Sequence, residues 1–285
     1  MLCQLFASLC FLLVVSLVKH NDVLIYSDLG TSLDLIDAIE QSLKSLTSQS
    51  FRRVQAKDLS QPNWEPECSL LIIPGGRDIF YTKSLTSSII TRIRNYINSG
   101  GSYLGICAGA YFGSSFVNFE RGRPCAVIGS RELALFPGTA HGSAIRPFSY
   151  EFKKSNPTAN VLMTGWKNPV YASFYFLGGC YFIPSEVHKY GWHILATYAI
   201  DGTAAIIEGK VGAGRVILSG PHIEVDHTMM KGLEDTWMYK ELKMRPVRRK
   251  RAFKYIIKKL VRSKNIKQIK NQALMNPIEH LHKDN

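Results

Sequence analysis

The stretch Ser102-Tyr-Leu-Gly-Ile-Cys-Ala-Gly-Ala-Tyr-Phe-Gly113 reads as a short apolar strand that ends in a glycine-flanked turn and opens a helix. Small residues at Gly105, Ala108 and Gly109 allow a sharp turn. The Cys107 thiol would then stand exposed at the carboxyl edge of a sheet, with the positive end of a helix behind it. The sequence before this unit repeats the same alternation. Val23-Leu-Ile-Tyr26 is a run of the buried parallel-strand kind, followed by Leu33, Ile36, Ile39, Leu43 and Leu46 at helical spacing. Leu70-Leu-Ile-Ile73 is a second run, followed by Leu85, Ile89, Ile93 and Ile97 on one helical face, and Tyr103-Leu-Gly-Ile106 is the third strand. Strands alternating with helices predict an α/β fold with parallel wiring and a sheet covered on both faces.

Beyond Gly113 the pattern becomes β-rich, with strands expected at Val161 to Met163, Tyr171 to Tyr181, Ile194 to Tyr198, Ala204 to Ile207 and Arg215 to Leu218. The stretch Arg121 to Tyr150 is interrupted by Pro124, Pro137 and Pro147 and is expected to be irregular loop. With no internal repeat and no linker, residues 22–235 are expected to form one domain, long enough to bury a sizeable core.

The chemistry-bearing residues gather around the same sheet edge. Val216-Ile-Leu-Ser-Gly-Pro-His-Ile-Glu224 reads as a strand that stops at Gly220 and Pro221 and then offers an imidazole and a carboxylate two residues apart. In extended chain these share a face, so Glu224 could fix the tautomer of His222 while His222 faces the thiol. A lone cysteine after an apolar strand is ordinary packing material. The glycines around Cys107, the His222 and Glu224 pair and the loop Ile73-Pro-Gly-Gly-Arg-Asp78 together point instead to a Cys-His-Glu triad. The backbone N–H groups of Gly75, Gly76 and Ala108 are the candidate oxyanion donors. Arg131, Arg146 and His141 are read as a solvated loop, or else as positive charge offered to an acidic ligand. Glu120-Arg-Gly-Arg123 reads as a turn. His141, His188 and His193 lack metal-ligand spacing, so neither a metal nor a cofactor is expected.

Five segments carry a family resemblance: Ile73-Pro-Gly-Gly-Arg-Asp78, Gly105-Ile-Cys-Ala-Gly-Ala-Tyr-Phe-Gly113, Gly129-Ser-Arg-Glu-Leu-Ala-Leu-Phe-Pro-Gly-Thr139, Phe176-Leu-Gly-Gly179 and Leu218-Ser-Gly-Pro-His-Ile-Glu224. By their order and spacing, the chain from about Val23 to Met230 resembles the amino-terminal domain of eukaryotic biotin–protein ligases, which is similar in turn to class I glutamine amidotransferases. The resemblance implies a flavodoxin-like, three-layer α/β fold with a mostly parallel sheet and the nucleophile between the third strand and its helix. It implies an amide or related acyl substrate, small molecule or peptide, attacked through a thioester. Class I amidotransferases usually place Gln four residues after the nucleophile to help hold the substrate. Here that position is Tyr111, which puts glutamine hydrolysis in question. Biotin–protein ligases carry adenylation and biotin transfer in a separate carboxyl-terminal domain, and only about 60 residues follow Glu224, so ligase activity, ATP binding and biotin binding are not expected of this chain alone. A complete amidotransferase reaction would need a partner chain to accept ammonia. Two classes of function therefore stay open: a cysteine-dependent amidase or amidotransferase-like hydrolase, and a non-catalytic ligand-binding or regulatory module.

Both ends differ from the middle. Residues 1–20 form an apolar leader without charge before Lys19, read as a signal-anchor or weak secretory signal, or else as a mis-assigned start or a buried extension. A real leader would make the protein membrane-anchored or secreted; otherwise it is expected in the cytoplasm. Six cysteines, two of them in the leader, give no disulfide framework. Between Lys240 and Lys270 there are 14 Lys or Arg against Glu241 alone, a surplus equal to the formal +13 of the whole chain. Phe253, Ile256, Ile257, Leu260 and Val261 recur at helical spacing, so residues 240–285 are expected to hold a basic amphipathic helix. Three uses are open: docking on the domain or a partner protein, lying on an anionic membrane surface, or contact with nucleic acid or an import receptor through Arg248-Arg-Lys-Arg251. Nothing else in the sequence reads bases, so nucleic acid is the least favoured.

Overall fold

Aliphatic runs with no polar face are stable as strands only when covered on both sides, and the first half of the chain alternates such runs with helices. Its elements are β1 (Asp22–Tyr26), α1 (Leu33–Leu46), β2 (Phe51–Val54), α2 (Ala56–Ser60), β3 (Cys68–Ile73), α3 (Asp78–Ser84), α4 (Ser87–Asn98), β4 (Ser102–Ile106) and α5 (Ala108–Gly113). The second half is strand-rich: β5 (Ser114–Phe119), β6 (Val127–Ser130), β7 (Phe136–Gly142), β8 (Thr158–Met163), β9 (Val170–Tyr175), α6 (Pro184–Lys189), β10 (His193–Tyr198), β11 (Ala204–Val211) and β12 (Gly214–Ser219), closed by α7 (Trp237–Met244) and α8 (Pro246–Met275). The computed structural model describes residues 22–148, 151 and 156–275, with side chains as far as Val261.

Nine strands form one sheet in the order β2-β1-β3-β4-β12-β11-β10-β8-β9. The five from β2 to β12 run parallel, and the remaining four extend the sheet antiparallel. Successive residues of a strand face opposite sides, and two core clusters follow from this. Val23, Ile25, Leu70, Ile72, Leu104, Ile106 and Ile217 pack against α1 and α8. Leu24, Tyr26, Leu71, Ile73, Tyr103, Val216 and Leu218 pack against α4, α5 and the second, three-stranded sheet β6-β5-β7. The fold is α/β and three-layered, with a strand-rich second half.

Several expectations change in detail. The strand β2 went unread because Phe51-Arg-Arg-Val54 is an edge strand whose two arginines face solvent, so the elbow follows the fourth strand in chain order, not the third. Leu33 is exposed, and Leu35 takes its place in the core. Leu85 lies buried beyond the end of α3 and outside α4. The stretch from Arg121 to Tyr150 is not all loop. It contains β6 and β7, where Val117 of β5 and Phe136 and Ala140 of β7 point into the core. The strand expected from Tyr171 to Tyr181 stops at Tyr175, and the chain then turns through Gly178 at φ +70°.

The basic carboxyl-terminal helix is α8. Its stripe of Phe253, Ile256, Ile257, Leu260 and Val261 is buried in the same cluster as β1, β3 and β12, so those apolar side chains pack on the domain itself. Residues 1–20, the segment expected to be a leader, lie outside the described residues. Among the described residues no helix is long and apolar enough to cross a membrane.

Candidate active site

Register places the site. β4 is paired on one side with β3 (Ile73 opposite Gly105) and on the other with β12 (Ser219 opposite Ile106). The residue that follows β4 therefore emerges between the Pro74-Gly75-Gly76 loop and the segment from Gly220 to Glu224. That residue is Cys107, whose N–H donates to the Ser219 carbonyl at 2.8 Å. Its backbone is bent into the left-handed half of conformational space, φ +50° and ψ −105°, a strained position for a side-chain-bearing residue. Helix α5 begins at the next residue and presses on the sheet. A Cβ at Gly109 would lie 1.9 Å from the Ile73 carbonyl oxygen, so only glycine permits that approach. The sharp turn expected at Cys107 is the observed one.

Cys107, His222 and Glu224 come together. Glu224 and His222 are fully buried, and Glu224 Oε1 lies 2.7 Å from His222 Nδ1. An imidazole bonded in this way keeps its proton on Nδ1 when neutral, which leaves Nε2 as the base. Burial by itself lowers the His222 pKa. The Glu224 carboxylate outweighs it, aided by the charge and hydrogen-bonding contact of the neighbouring Cys107 sulfur, and the net result is a value pushed up to about 10. The contact with Cys107 falls short of a regular hydrogen bond to Nε2, which has no other partner among the described residues. The thiol donates instead to the Leu177 carbonyl at 3.4 Å.

The thiol is only 5 % exposed, and what it is exposed to is a cleft of about 770 Å³. Gly76, Ala108, Tyr111, Leu177 and Gly178 line that cleft with it. The N–H groups of Gly76 and Ala108 donate no hydrogen bond to the described protein, which leaves them free to meet a ligand oxygen. Gly75 is placed differently. It lies beside the imidazole, within contact distance of Cε1, and is not a lining residue. Tyr111 is buried, and its hydroxyl donates to the Gly178 carbonyl at 3.1 Å, so its polar atom is already engaged within the protein. Burial, first of all, pushes its phenol pKa well up, so it stays neutral.

The loop arginines read as candidates for an acidic ligand are paired with protein carboxylates, Arg131 buried and Arg146 still largely exposed. Arg131 Nε donates to Asp78 Oδ2 at 2.7 Å with both side chains nearly buried, and Arg146 Nε donates to Glu120 Oε1 at 2.9 Å. Glu120, in the segment read as a turn, is itself buried and also accepts the Ser143 N–H. His141 stacks on Tyr181 and touches Asn118, and burial lowers its pKa. Among the described residues no three His, Cys, Asp or Glu side chains converge as a metal site requires. The segment Phe176-Leu-Gly-Gly179 carries no role in the sequence reading, yet the Leu177 carbonyl accepts a hydrogen bond from the thiol and the Gly178 carbonyl accepts one from the Tyr111 hydroxyl. Both contacts are made by backbone oxygens, which no side-chain pattern reveals.

The comparisons agree with this geometry at the level of family and fold. The family model described as biotin–protein ligase, N terminal, matches residues 21–282. A biotin–protein ligase of Schizosaccharomyces pombe is 36 % identical over 210 residues, which are 71 % of this chain and 33 % of that protein. An uncharacterized protein of Chlamydia muridarum is 37 % identical over 209 residues, 71 % of this chain and 80 % of the relative. The chain thus spans a third of the length of the yeast ligase. A glutamine amidotransferase of Thermotoga maritima superposes with a TM-score of 0.51 at 12 % identity, over 85 % of this chain and 99 % of that one, a likeness of fold alone. Matched along nearly its whole length, the chain belongs to the biotin–protein ligase amino-terminal domain family and has a glutamine amidotransferase-like fold.

Proposed function

We propose that this domain is a cysteine-dependent acyl-transfer enzyme acting on an amide or related acyl substrate. The observation that carries the proposal is the convergence of Cys107, which lines a cleft, with an imidazole whose far nitrogen is fixed by a buried carboxylate. In the reaction the thiol proton is held on His222 Nε2, whose raised pKa favours the imidazolium, while the sulfur attacks the acyl carbon and forms a C–S bond. Glu224 holds the ring and stabilises the imidazolium. The carbonyl oxygen, now negative, meets the free N–H groups of Gly76 and Ala108. Collapse breaks the amide C–N bond, and the imidazolium returns its proton to the leaving amine. Water, deprotonated by the same imidazole, then attacks the thioester, breaks the C–S bond and releases the acid. The ligase activity by which the S. pombe relative is named forms no part of the proposal, because this chain spans a third of that protein.

Incubation with an activated acetyl ester tests the reading. A hydroxylamine-labile acetyl group is expected on Cys107 and lost in Cys107→Ser; acetylation confined to lysines, equal in both proteins, would refute it. One observation favours a second reading, a non-catalytic ligand-binding module. Tyr111 stands where amidotransferases hold glutamine, and its hydroxyl is bound to Gly178. Under that reading the cleft binds a small molecule, and Cys107→Ser leaves its affinity unchanged.

A further inference from the structure

The run Arg248-Arg-Lys-Arg251 looks like a solvated charge cluster, but one of its side chains is not in solvent. Arg249, on the first turns of α8, is 3 % exposed. Its Nη1 donates to the carbonyls of Ile223 at 3.1 Å and Glu224 at 3.2 Å, and its Nη2 pairs with Asp226 Oδ2 at 2.5 Å. Ser42 of α1 donates its hydroxyl to the same Glu224 carbonyl at 2.7 Å. Asp226 also accepts the N–H and hydroxyl of Thr228 at 3.1 and 3.0 Å, and the other charged or titratable groups beside it are His227, 3.0 Å away, and Lys250 at 3.9 Å. Burial lowers the Arg249 pKa, while the charges of Asp226 and Glu224 raise it, which places the guanidinium in the field of the Glu224 carboxylate.

These contacts matter because Glu224 does not sit on a strand. β12 ends at Ser219, and among the described residues those from Gly220 to Asp226 have no ladder partners apart from a bridge between His222 and Tyr175. A catalytic group on irregular chain needs outside support to stay within a fraction of an ångström of working geometry. A guanidinium supplies it by its rigid fork of donors, which can hold two carbonyls and a carboxylate at once.

We infer that Arg249 is a positioning residue for the Cys107 site. By gripping the backbone at Ile223 and Glu224 and the side chain of Asp226, it sets the Glu224–His222 pair in register with the thiol. The carboxyl-terminal helix is then part of the site's machinery as well as a cover for the sheet. The inference rests on the acyl-transfer reading of Cys107, His222 and Glu224.

The test uses the full chain and reads the rate of Cys107 alkylation by iodoacetamide across pH, beside the His222 titration by NMR and the fold by circular dichroism. Glu224→Gln and His222→Ala serve as references. Arg249→Met is expected to fold, to slow alkylation at pH 7 by roughly tenfold through misplacement of the pair, and to shift the profile in the same direction as Glu224→Gln. Arg249→Lys is expected to recover part of the loss. A folded Arg249→Met with the wild-type rate and profile, while Glu224→Gln is slow, overturns the positioning role and leaves the triad standing. References that match wild type overturn the triad, and the inference with it. Should Arg249→Met not fold, Arg249→Lys and Ser42→Ala decide: slower alkylation in both supports the role, and wild-type behaviour in both overturns it.

Discussion

Gly75 lies against the edge of the His222 ring, so close that a Cβ there would come within 2.6 Å of Cε1 and 2.7 Å of Leu35 Cδ1. The imidazole is thus confined by the loop after β3 as well as by its bond to Glu224. Gly75→Ala is expected to displace the ring, to destabilise the fold by about 1–3 kcal/mol from overpacking, and to slow Cys107 alkylation. Melting temperature and alkylation rate measure the two effects separately. An alanine variant with wild-type values for both would mean that the ring is not confined there.

The raised pKa of His222 has a definite consequence for stability. A group with a pKa of 6.5 in the unfolded chain and about 10 in the fold stabilises the native state fully below pH 6.5 and loses that contribution as pH rises towards 10. Burial opposes the charged form, and Glu224, then Cys107, overcome it. The stability gap between wild type and Glu224→Gln is therefore expected to be larger at pH 6 than at pH 10, by urea unfolding at each pH. A gap that does not narrow would show that the carboxylate does not hold the proton.

Asp78 and Arg131 form a second, structural pair beside the cleft, with side chains 10 % and 6 % exposed. Burial raises the Asp78 pKa, and the Arg131 cation pulls it back. Arg131→Met leaves that carboxylate buried without its cation, which costs about 3–5 kcal/mol. Because protonation relieves it, the deficit is expected to shrink as pH falls towards 4. Thermal unfolding of the variant at pH 7 and at pH 4 measures this.

Phe253 and Lys254 are neighbours on α8 with opposite fates, one fully buried and the other exposed. Phe253→Ala is expected to cost about 3–5 kcal/mol, and Lys254→Ala to change stability by about 0.5 kcal/mol or less. Equal effects would mean that the helix does not cover the sheet.

The legible parts of the molecule were those written in local spacing. The strand and elbow at Ser102 to Gly113 depend on neighbours in sequence and appear as read; His222 and Glu224 also bond to each other, but on irregular chain rather than on the extended strand that the i, i+2 spacing implied. Phe51-Arg-Arg-Val54 has no strand-like apolar run, because its two arginines face solvent at the sheet's edge, where Arg53 binds Asp37 and Glu40 of α1 and Arg52 pairs with Asp22 of β1. β6 is hidden by its short length and β7 by the proline at its second position, and the partner that makes both of them strands is β5, apart from them in sequence. The burial of Arg131 and Arg249 was invisible for a similar reason. Each is paid for by an acid distant in sequence, Asp78 or Asp226, and composition alone marks both as surface cations.

The most direct measurement compares the second-order rate of Cys107 alkylation by iodoacetamide at pH 7 in wild type and His222→Ala, with the modified residue identified by mass spectrometry. An imidazole that holds the thiol proton makes the wild-type rate roughly ten- to a hundredfold the greater, an effect at or below the lower end of the range for a general base. Equal rates in two folded proteins, at a thiol that reacts no faster than Cys125, would contradict the proposed chemistry at its root.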